Sequence, residues 1–267
     1  RYLDIPEPYL PGPKWIKINT RYGGICGSDM HTLLLKNSPA LSPFVSFPFT
    51  LGHENVGVVV EVGGEVEEIN PGDRVVVEPV LPCATRGIEE PCEFCSRGET
   101  GLCLNFTEGD LSPGLLLGAC RDTGGSWSSC FVAHKSQVFQ VPDQVSNDNA
   151  VMVEPFCCAL HAVLRDFPRD HENVLVMGAG TIGLCTVAAL RALDSKARVI
   201  VVAKHAFQAQ MAIQCGADNA ILQQEEDYYH TMSSATGGRL LSPILGKRVM
   251  VGGADIVYEC VGSSNSI

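Results

Sequence analysis

The chain has 267 residues, of which 45% are hydrophobic and 18% are charged, and its formal net charge is −11. This length predicts about two domains, and the hydrophobic content excludes an intrinsically disordered chain. The acidic balance disfavours nonspecific binding to nucleic acid. No apolar run reaches the roughly 18 uncharged residues that a membrane-spanning helix requires. We therefore expect neither nucleic acid nor a membrane among the partners of this protein.

The twelve cysteines indicate metal binding rather than a disulfide framework. The first residues lack the basic segment and apolar run of a secretory signal, and clustered cysteines in a long chain without one more often hold a metal. We expect a reducing, cytoplasmic environment. Because the sequence opens at Arg1 and closes at Ile267 shortly after a strand-like run, we also expect a piece of a longer protein.

Residues 1–150 have the pattern of a β-rich domain. Short apolar runs, at residues 56–62 and 75–80, are bounded by glycine and proline turns such as Pro71-Gly72-Asp73. Strands that alternate with loops about every ten residues indicate a barrel-like or sandwich-like fold.

Residues 151–267 change to alternating strands and helices, which predicts a parallel, doubly wound sheet. Strands are predicted at residues 174–177, 199–203, 220–222 and 255–260, with helices at 182–193 and 207–215. A complete dinucleotide-binding sheet of this type has six strands, so an incomplete one of about four is expected. Residues 237–253 exceed what this fold requires, and we interpret them as a loop insertion.

A glycine-rich loop in this region is typical of dinucleotide-binding proteins. Gly178, Gly180 and Gly183 follow a predicted strand, and Thr181 and Ile182 open the next helix. The first glycine allows the tight turn, the second lets the backbone approach a pyrophosphate, and the third lets helix and strand pack closely. The helix amino terminus offers free N–H groups to the phosphates. An ordinary glycine-rich turn is the alternative, but strand, helix and second strand all stand in the required order.

The end of the second predicted strand favours NADP over NAD. Proteins that bind NAD place an Asp or Glu about twenty residues after the glycine motif, on the ribose 2′-hydroxyl. Here the chain has Ala203, Lys204 and His205, so Lys204 could neutralise a 2′-phosphate and His205 could donate a hydrogen bond to it. The alternative is that Lys204 is a solvated loop charge. Val261, after the last predicted strand, is a further candidate for cofactor binding.

Cys26 and His53 are candidate ligands of a catalytic zinc, with Glu54 or Glu154 as the third ligand. Such a zinc needs about three protein ligands and an open position for water or substrate. Thiolate, imidazole and carboxylate are all suitable, although any one of these residues alone would more often be structural.

Cys83, Cys92, Cys95 and Cys103 are candidate ligands of a structural zinc. Cys92 and Cys95 have the C-x₂-C spacing of zinc sites, and the other two lie close in sequence. Four thiolates close a tetrahedral site that supports a lobe of chain and leaves no position for chemistry. Buried free cysteines are the alternative. A zinc finger that binds nucleic acid fits poorly, because the segment is not basic.

Together these features resemble the zinc-containing medium-chain dehydrogenase/reductase family of alcohol dehydrogenases, particularly its polyol, threonine and glucose dehydrogenase branch. The matching motifs follow the family order over nearly the whole chain: residues 24–31, 52–57 and 71–75, the four cysteines, Glu154-Pro155 and residues 178–183. The resemblance implies a GroES-like catalytic domain over residues 1–150. It implies a Rossmann domain, incomplete at its C-terminal side, over residues 151–267.

The resemblance also implies a reaction, namely hydride transfer between an alcohol of the polyol, sugar or amino-alcohol class and a nicotinamide cofactor. One catalytic and one structural zinc are implied, with the first acting as a Lewis acid. Cys26 and His53 are similar to its ligands, and Glu54 and Glu154 remain alternatives for the third. The small-molecule substrate is the expected partner, and the full-length protein is expected to be a homo-oligomer.

Three residues near Cys26 resemble catalytic or positioning groups of the family. Ser28 resembles the hydroxyl that takes the substrate proton, and His31 resembles the outer end of the proton relay. Asp29 resembles the carboxylate that orients His53, a common arrangement behind metal ligands.

One departure from the family pattern concerns the structural site. Family members usually separate the first two cysteines by two residues, whereas Cys83 and Cys92 are separated by eight, so Cys83 is the weakest candidate ligand. Two other functions remain open: a zinc-free reductase of the same superfamily, such as a quinone or enoyl reductase, and a non-catalytic NADP-binding or structural protein with this fold.

Overall fold

A computed structural model of the chain describes residues 4–223 and 228–263. The chain divides into two compact units, Arg1–Glu154 and Pro155–Ile267. Within the described ranges, no helix is long and apolar enough to cross a membrane.

The first unit is built on a five-stranded antiparallel sheet with the order β4-β1-β2-β3-β5. Its strands are β1 (Trp15–Gly23), β2 (Asn55–Val62), β3 (Arg74–Val77), β4 (Cys130–His134) and β5 (Val138–Gln140). The two edge strands, β4 and β5, are joined by a single 3₁₀ turn, Lys135–Gln137. The sheet therefore curves enough to bring its two edge strands close together at this turn, as expected for a barrel-like or sandwich-like domain.

Apolar side chains alternate along these strands because successive residues point to opposite faces of a sheet. One face buries Ile16, Ile18 and Phe131 in the main core, while Trp15 and Val132 pack with Leu81 on the other side. The unit also contains the short helices α1 (Gly27–Leu33) and α2 (Asn147–Ala150) and four further 3₁₀ turns, Pro39–Phe44, Cys83–Arg86, Cys95–Arg97 and Thr100–Leu102.

The second unit contains a parallel sheet of four described strands, in the order β11-β6-β7-β8. Its strands are β6 (Asn173–Met177), β7 (Arg198–Ala203), β8 (Asn219–Leu222) and β11 (Ile256–Glu259). Its helices are α3 (Val153–Arg165), which begins at the end of the first unit, α4 (Thr181–Ala192), α5 (Ala206–Gln214) and α6 (Tyr228–Thr236). These bounds confirm the predicted strands and helices to within one or two residues.

Both faces of the parallel sheet are covered, as a doubly wound fold requires. Val174 and Val176 pack with Val163, Leu190 and Ala212 on one face. On the other face, Leu175 and Ile200 pack with Met232 of α6 and with Met250.

Two predictions about local structure are wrong. The strand expected at residues 75–80 ends at Val77, because Pro79 lacks the N–H that a further ladder bond would need. The loop expected at residues 237–253 contains a β-hairpin, in which β9 (Arg239–Leu241) pairs with β10 (Val249–Val251). Strands of three residues are too short to give a detectable pattern, and Met250 holds this hairpin against the sheet through packing.

Candidate metal centres and dinucleotide site

Cys26 and His53 reach the same place because the antiparallel strands β1 and β2 bring their neighbouring loops together. The amide of Gly24 donates to the carbonyl of Glu54 at 2.9 Å, which continues the pairing beyond the strands. Cys26 is the N-cap residue of α1, and His53 and Glu54 immediately precede β2. One ligand atom from each of Cys26, His53 and Glu54 lies within 4.8 Å of the others.

The Asp29 side chain holds together the two loops that carry Cys26 and His53. It is 3% exposed and accepts hydrogen bonds from the backbone amides of Cys26, at 3.0 Å, and Gly52, at 3.3 Å. One carboxylate oxygen also lies 3.5 Å from Nδ1 of His53. A carboxylate beside Nδ1 directs the other ring nitrogen, Nε2, towards a metal.

The electrostatics around these residues favour a bound cation. The hydrogen bond with His53 lowers the pKa of the Cys26 thiol. Burial raises the pKa of Glu54, and the charge of Glu154 raises it further. Burial lowers the pKa of His53, but Asp29 and Cys26 outweigh burial and raise it to about 10. Several anionic groups thus surround one imidazole, and thiolate, imidazole and carboxylate are the donors that Zn²⁺ prefers, so the residues fit this ion.

Glu54, rather than Glu154, lies with Cys26 and His53. Glu154 is half-buried in the first turn of α3 and acts on Glu54 through its charge, but the cluster within 4.8 Å contains only Glu54 among the carboxylates. Gly24 makes room for this arrangement. A Cβ at Gly24 would overlap the Glu54 carboxylate and lie 2.8 Å from its Cβ.

Trp127 is hydrogen-bonded to both loops that carry the candidate metal ligands, and the sequence did not reveal these contacts. Its indole N–H donates to the carbonyl of Gly24 at 2.8 Å, and its backbone amide donates to Leu51 at 3.0 Å. Gly52 has a φ of +98°, and a Cβ there would collide with the Trp127 ring. The loop before His53 therefore requires glycine for both its backbone conformation and its close packing.

Ser28 and His31 both lie on α1, with exposed side chains. Ser28 is close enough to Cys26 that its hydroxyl and its backbone amide help to lower the pKa of the thiol. His31 is near the end of the same helix, where it is open to solvent.

The four predicted cysteines converge in a separate lobe of the first unit. One sulfur atom from each of Cys83, Cys92, Cys95 and Cys103 lies within 4.8 Å of the others, so Cys83 joins the group in spite of its longer spacing. The Cys83 sulfur accepts the amide of Cys92 at 3.4 Å. Amides of Cys95 and Leu104 lower the pKa of Cys92 to about 6. The Cys92 sulfur is thus suited to the thiolate form that zinc binds, whereas burial raises the pKa values of Cys95 and Cys103.

In the second unit, the glycine loop has the shape that the motif predicts. Gly178 follows β6 with a φ of +98°, and Gly180 is the N-cap residue of α4. A Cβ at Gly183 would overlap the carbonyl of Gly178, whereas nothing lies within 4 Å of a Cβ at Gly180. Open space in front of Gly180, beside exposed Thr181 and Ile182, fits an approaching pyrophosphate.

The other cofactor candidates lie at the same, carboxyl edge of the parallel sheet. Ala203 ends β7 and is fully buried, while Lys204 and His205 follow it with exposed side chains. Val261 follows β11, and its side chain would touch a Cβ placed on Gly178. The glycine loop and these positions thus all end or follow strands at the edge of the sheet where doubly wound folds bind dinucleotides.

Comparison with known proteins agrees with the resemblance to alcohol dehydrogenases that the sequence motifs indicate. Residues 12–143 match the model of the alcohol dehydrogenase GroES-like domain. An L-idonate 5-dehydrogenase from Vitis vinifera is 31% identical over 98% of this chain and 65% of its own length. The first unit therefore contains an alcohol dehydrogenase GroES-like domain, and nearly the whole chain resembles the medium-chain dehydrogenases.

Two further similarities concern a polyol dehydrogenase and the fold. A sorbitol dehydrogenase from Halalkalibacterium halodurans is 32% identical over 97% of this chain and 65% of its own length. The crystal structure of a Sinorhizobium meliloti protein described as a zinc-binding dehydrogenase, bound to NADP, matches with a TM-score of 0.75 and 28% identity. That match covers all of this chain and 67% of the other. The chain thus spans 65% of the length of both curated relatives.

Proposed function

We propose that this protein is a zinc-dependent oxidoreductase that transfers hydride between an alcohol and a nicotinamide cofactor. The convergence of Cys26, His53 and Glu54 within 4.8 Å carries the proposal. Thiolate, imidazole and carboxylate fill three positions of a zinc site and leave one open, as in catalytic rather than structural sites.

The protein residues hold the reacting groups and move the substrate proton. A bound zinc supplies Lewis-acid polarisation of the substrate oxygen, and a bound nicotinamide supplies the hydride chemistry. Asp29 fixes the orientation of His53. Ser28 receives the proton that the alcohol releases, and solvent-exposed His31 exchanges protons with bulk water.

Glu54 is the proposed third ligand of this site, and Glu154 tunes it through charge. The four cysteines of the lobe, Cys83, Cys92, Cys95 and Cys103, would hold a second, structural zinc, because four thiolates leave no open position.

NADP is the proposed cofactor. Lys204 and His205 follow β7 with exposed side chains, where an NAD-binding protein would place a carboxylate on the ribose 2′-hydroxyl. The glycine loop, with Thr181 and Val261 beside it, would hold the pyrophosphate and the neighbouring part of the dinucleotide.

The proposed substrates are polyols, sugars or amino-alcohols, in keeping with the sorbitol and L-idonate dehydrogenases that the chain resembles. We further propose a cytoplasmic location and a homo-oligomeric full-length protein.

Metal content and turnover of His53→Ala test the proposal. We expect about two zinc ions per chain in the wild type and about one in His53→Ala, with a loss of alcohol-dependent NADP reduction of about a thousandfold or more. His161→Ala, an exposed histidine on α3, is the matched control and should keep both. Retention of both zinc and turnover by His53→Ala would refute the mechanism.

The same measurements separate the two other functions. A zinc-free reductase would contain no zinc, and a non-catalytic protein would hold zinc without reducing NADP in the presence of any alcohol tested.

A further inference from the structure

Arg86 is a fully buried cation in the four-cysteine lobe. Its side chain is 0% exposed, and it lies within the eight residues that separate Cys83 from Cys92. None of the ion pairs found among the described residues includes Arg86. A buried charge without such compensation is costly, so its presence calls for a physical reason.

The guanidinium is held entirely by backbone carbonyl groups. Nε donates to Leu81 at 3.0 Å, and Nη2 donates to Gly114 at 2.5 Å. Nη1 donates to Glu108 at 3.0 Å and Leu111 at 3.2 Å, with a longer contact of 3.4 Å to Ser112. The planar fork of arginine suits this arrangement, since lysine could not present donors in these fixed directions.

These carbonyls lie on both sides of the cysteine cluster in the sequence. Leu81 precedes Cys83, whereas residues 108–114 follow Cys103. The backbone of Arg86 joins the same contact, because its carbonyl accepts the amide of Asp110 at 2.9 Å. Arg86 therefore connects the segment that precedes the four cysteines to the segment that follows them. It also fixes the turn Cys83–Arg86, on which Cys83 lies.

The charge of Arg86 also complements the proposed metal centre. Four thiolates and one Zn²⁺ carry a net charge of −2. Burial lowers the pKa of the Arg86 guanidinium, and the charges of Cys120, Cys103, Asp122 and Cys83 act against this effect. A buried cation and a buried dianionic centre compensate each other, whereas either alone would be unfavourable.

We propose that Arg86 is the positioning residue and counter-charge of the structural zinc site, and that it allows this lobe to use the long Cys83–Cys92 spacing. The proposal rests on the structural zinc proposed above. Arg86 touches no metal, and it acts by holding Cys83 in place and by balancing the charge of the thiolates.

Zinc release to a chromogenic chelator tests the proposal in the whole chain carrying His53→Ala, so that only lobe zinc is counted. Arg86→Met should release zinc about tenfold faster or more, because buried hydrogen bonds and a charge are lost. Arg86→Lys keeps the charge without the fork and should lie between Arg86→Met and the parent. Arg97→Met is the matched control, since Arg97 lies in the same lobe but is exposed and pairs with Glu93 and Glu99.

Each result has a defined meaning. If the parent chain holds no zinc in the lobe, the proposed structural site is wrong. If it holds zinc but either Arg86 variant releases it at the parent rate, or Arg97→Met releases it as fast as they do, the inference about Arg86 is overturned. Should Arg86→Met fail to fold, Arg86→Lys decides alone: faster release supports the inference, and the parent rate contradicts it.

Discussion

The Asp29 carboxylate bridges the backbone amides of Cys26 and Gly52, at 3.0 and 3.3 Å, and one of its oxygens lies 3.5 Å from Nδ1 of His53. One buried side chain thus fixes both loops that carry the proposed zinc ligands. The geometry of the site depends on this group accepting hydrogen bonds at both oxygens.

Asp29→Asn should weaken zinc binding at the catalytic site by about tenfold to a hundredfold, because an amide presents only one accepting oxygen and no charge. Competition with a chelator of known affinity measures the change. Asp143→Asn, an exposed position in the same unit, is the control. Equal zinc affinity in Asp29→Asn and wild type would show that the bridge does not position the ligands.

Gly24→Ala should displace Glu54 from its place beside Cys26 and His53. The added methyl group would overlap the Glu54 carboxylate and crowd its Cβ at 2.8 Å, at a cost of about 1–3 kcal/mol in overpacking. We expect a lower thermal midpoint and reduced zinc content. Gly27→Ala is a close control, since nothing lies within 4 Å of a Cβ at that position. If the two variants behave alike, Gly24 does not control the placement of Glu54.

The candidate ligand types could be read from the sequence because each lies in a short local motif, whereas the choice between Glu54 and Glu154 could not be made there. The cysteine spacing, the residues around Cys26 and the glycine loop needed no knowledge of distant contacts. The four strands of the parallel sheet and the helices α4 and α5 were predicted for a similar reason, since buried strands and helices repeat with clear periods.

The supporting contacts could not be predicted in this way. The Trp127–Gly24 hydrogen bond spans 103 positions, and the carbonyls around Arg86 come from segments on both sides of the lobe. Neither pairing leaves a local pattern. The hairpin at residues 239–251 was missed because its strands are three residues long and depend on packing rather than on propensity.

His134 should make the first unit less stable in mild acid. Burial, together with Lys14 and Lys135, lowers its pKa to about 4, and its Nδ1 accepts the amide of Ser136 at 3.3 Å. In the unfolded chain its pKa is about 6.5. Protonation therefore favours the unfolded chain as pH falls from about 6.5 towards 4, with a loss in unfolding free energy of at most about 3 kcal/mol.

His134→Asn keeps an oxygen that can accept the Ser136 amide but does not titrate. Urea unfolding of both proteins at about pH 7 and about pH 5, followed by tryptophan fluorescence, gives the comparison. The variant should lose less stability than the wild type between these values. Parallel losses would show that His134 does not cause the acid sensitivity.

Lys204→Asp should shift cofactor preference from NADPH towards NADH by about tenfold or more, because a carboxylate repels a 2′-phosphate and accepts a ribose hydroxyl. Position 204 suits this change better than Ala203, which is fully buried. The ratio of dissociation constants, from fluorescence titration with each reduced cofactor, is the readout. Lys196→Asp makes the same charge change near the opposite end of β7, away from the proposed cofactor site, and should leave this ratio unaltered. An unaltered ratio in Lys204→Asp would remove the basis for proposing NADP.

Anomalous diffraction at the zinc absorption edge, from crystals of the wild-type chain, tests the central claim most directly. We predict one peak between Cys26, His53 and Glu54, and a second among Cys83, Cys92, Cys95 and Cys103. A zinc-loaded crystal with no peak at Cys26 and His53 would contradict the claim.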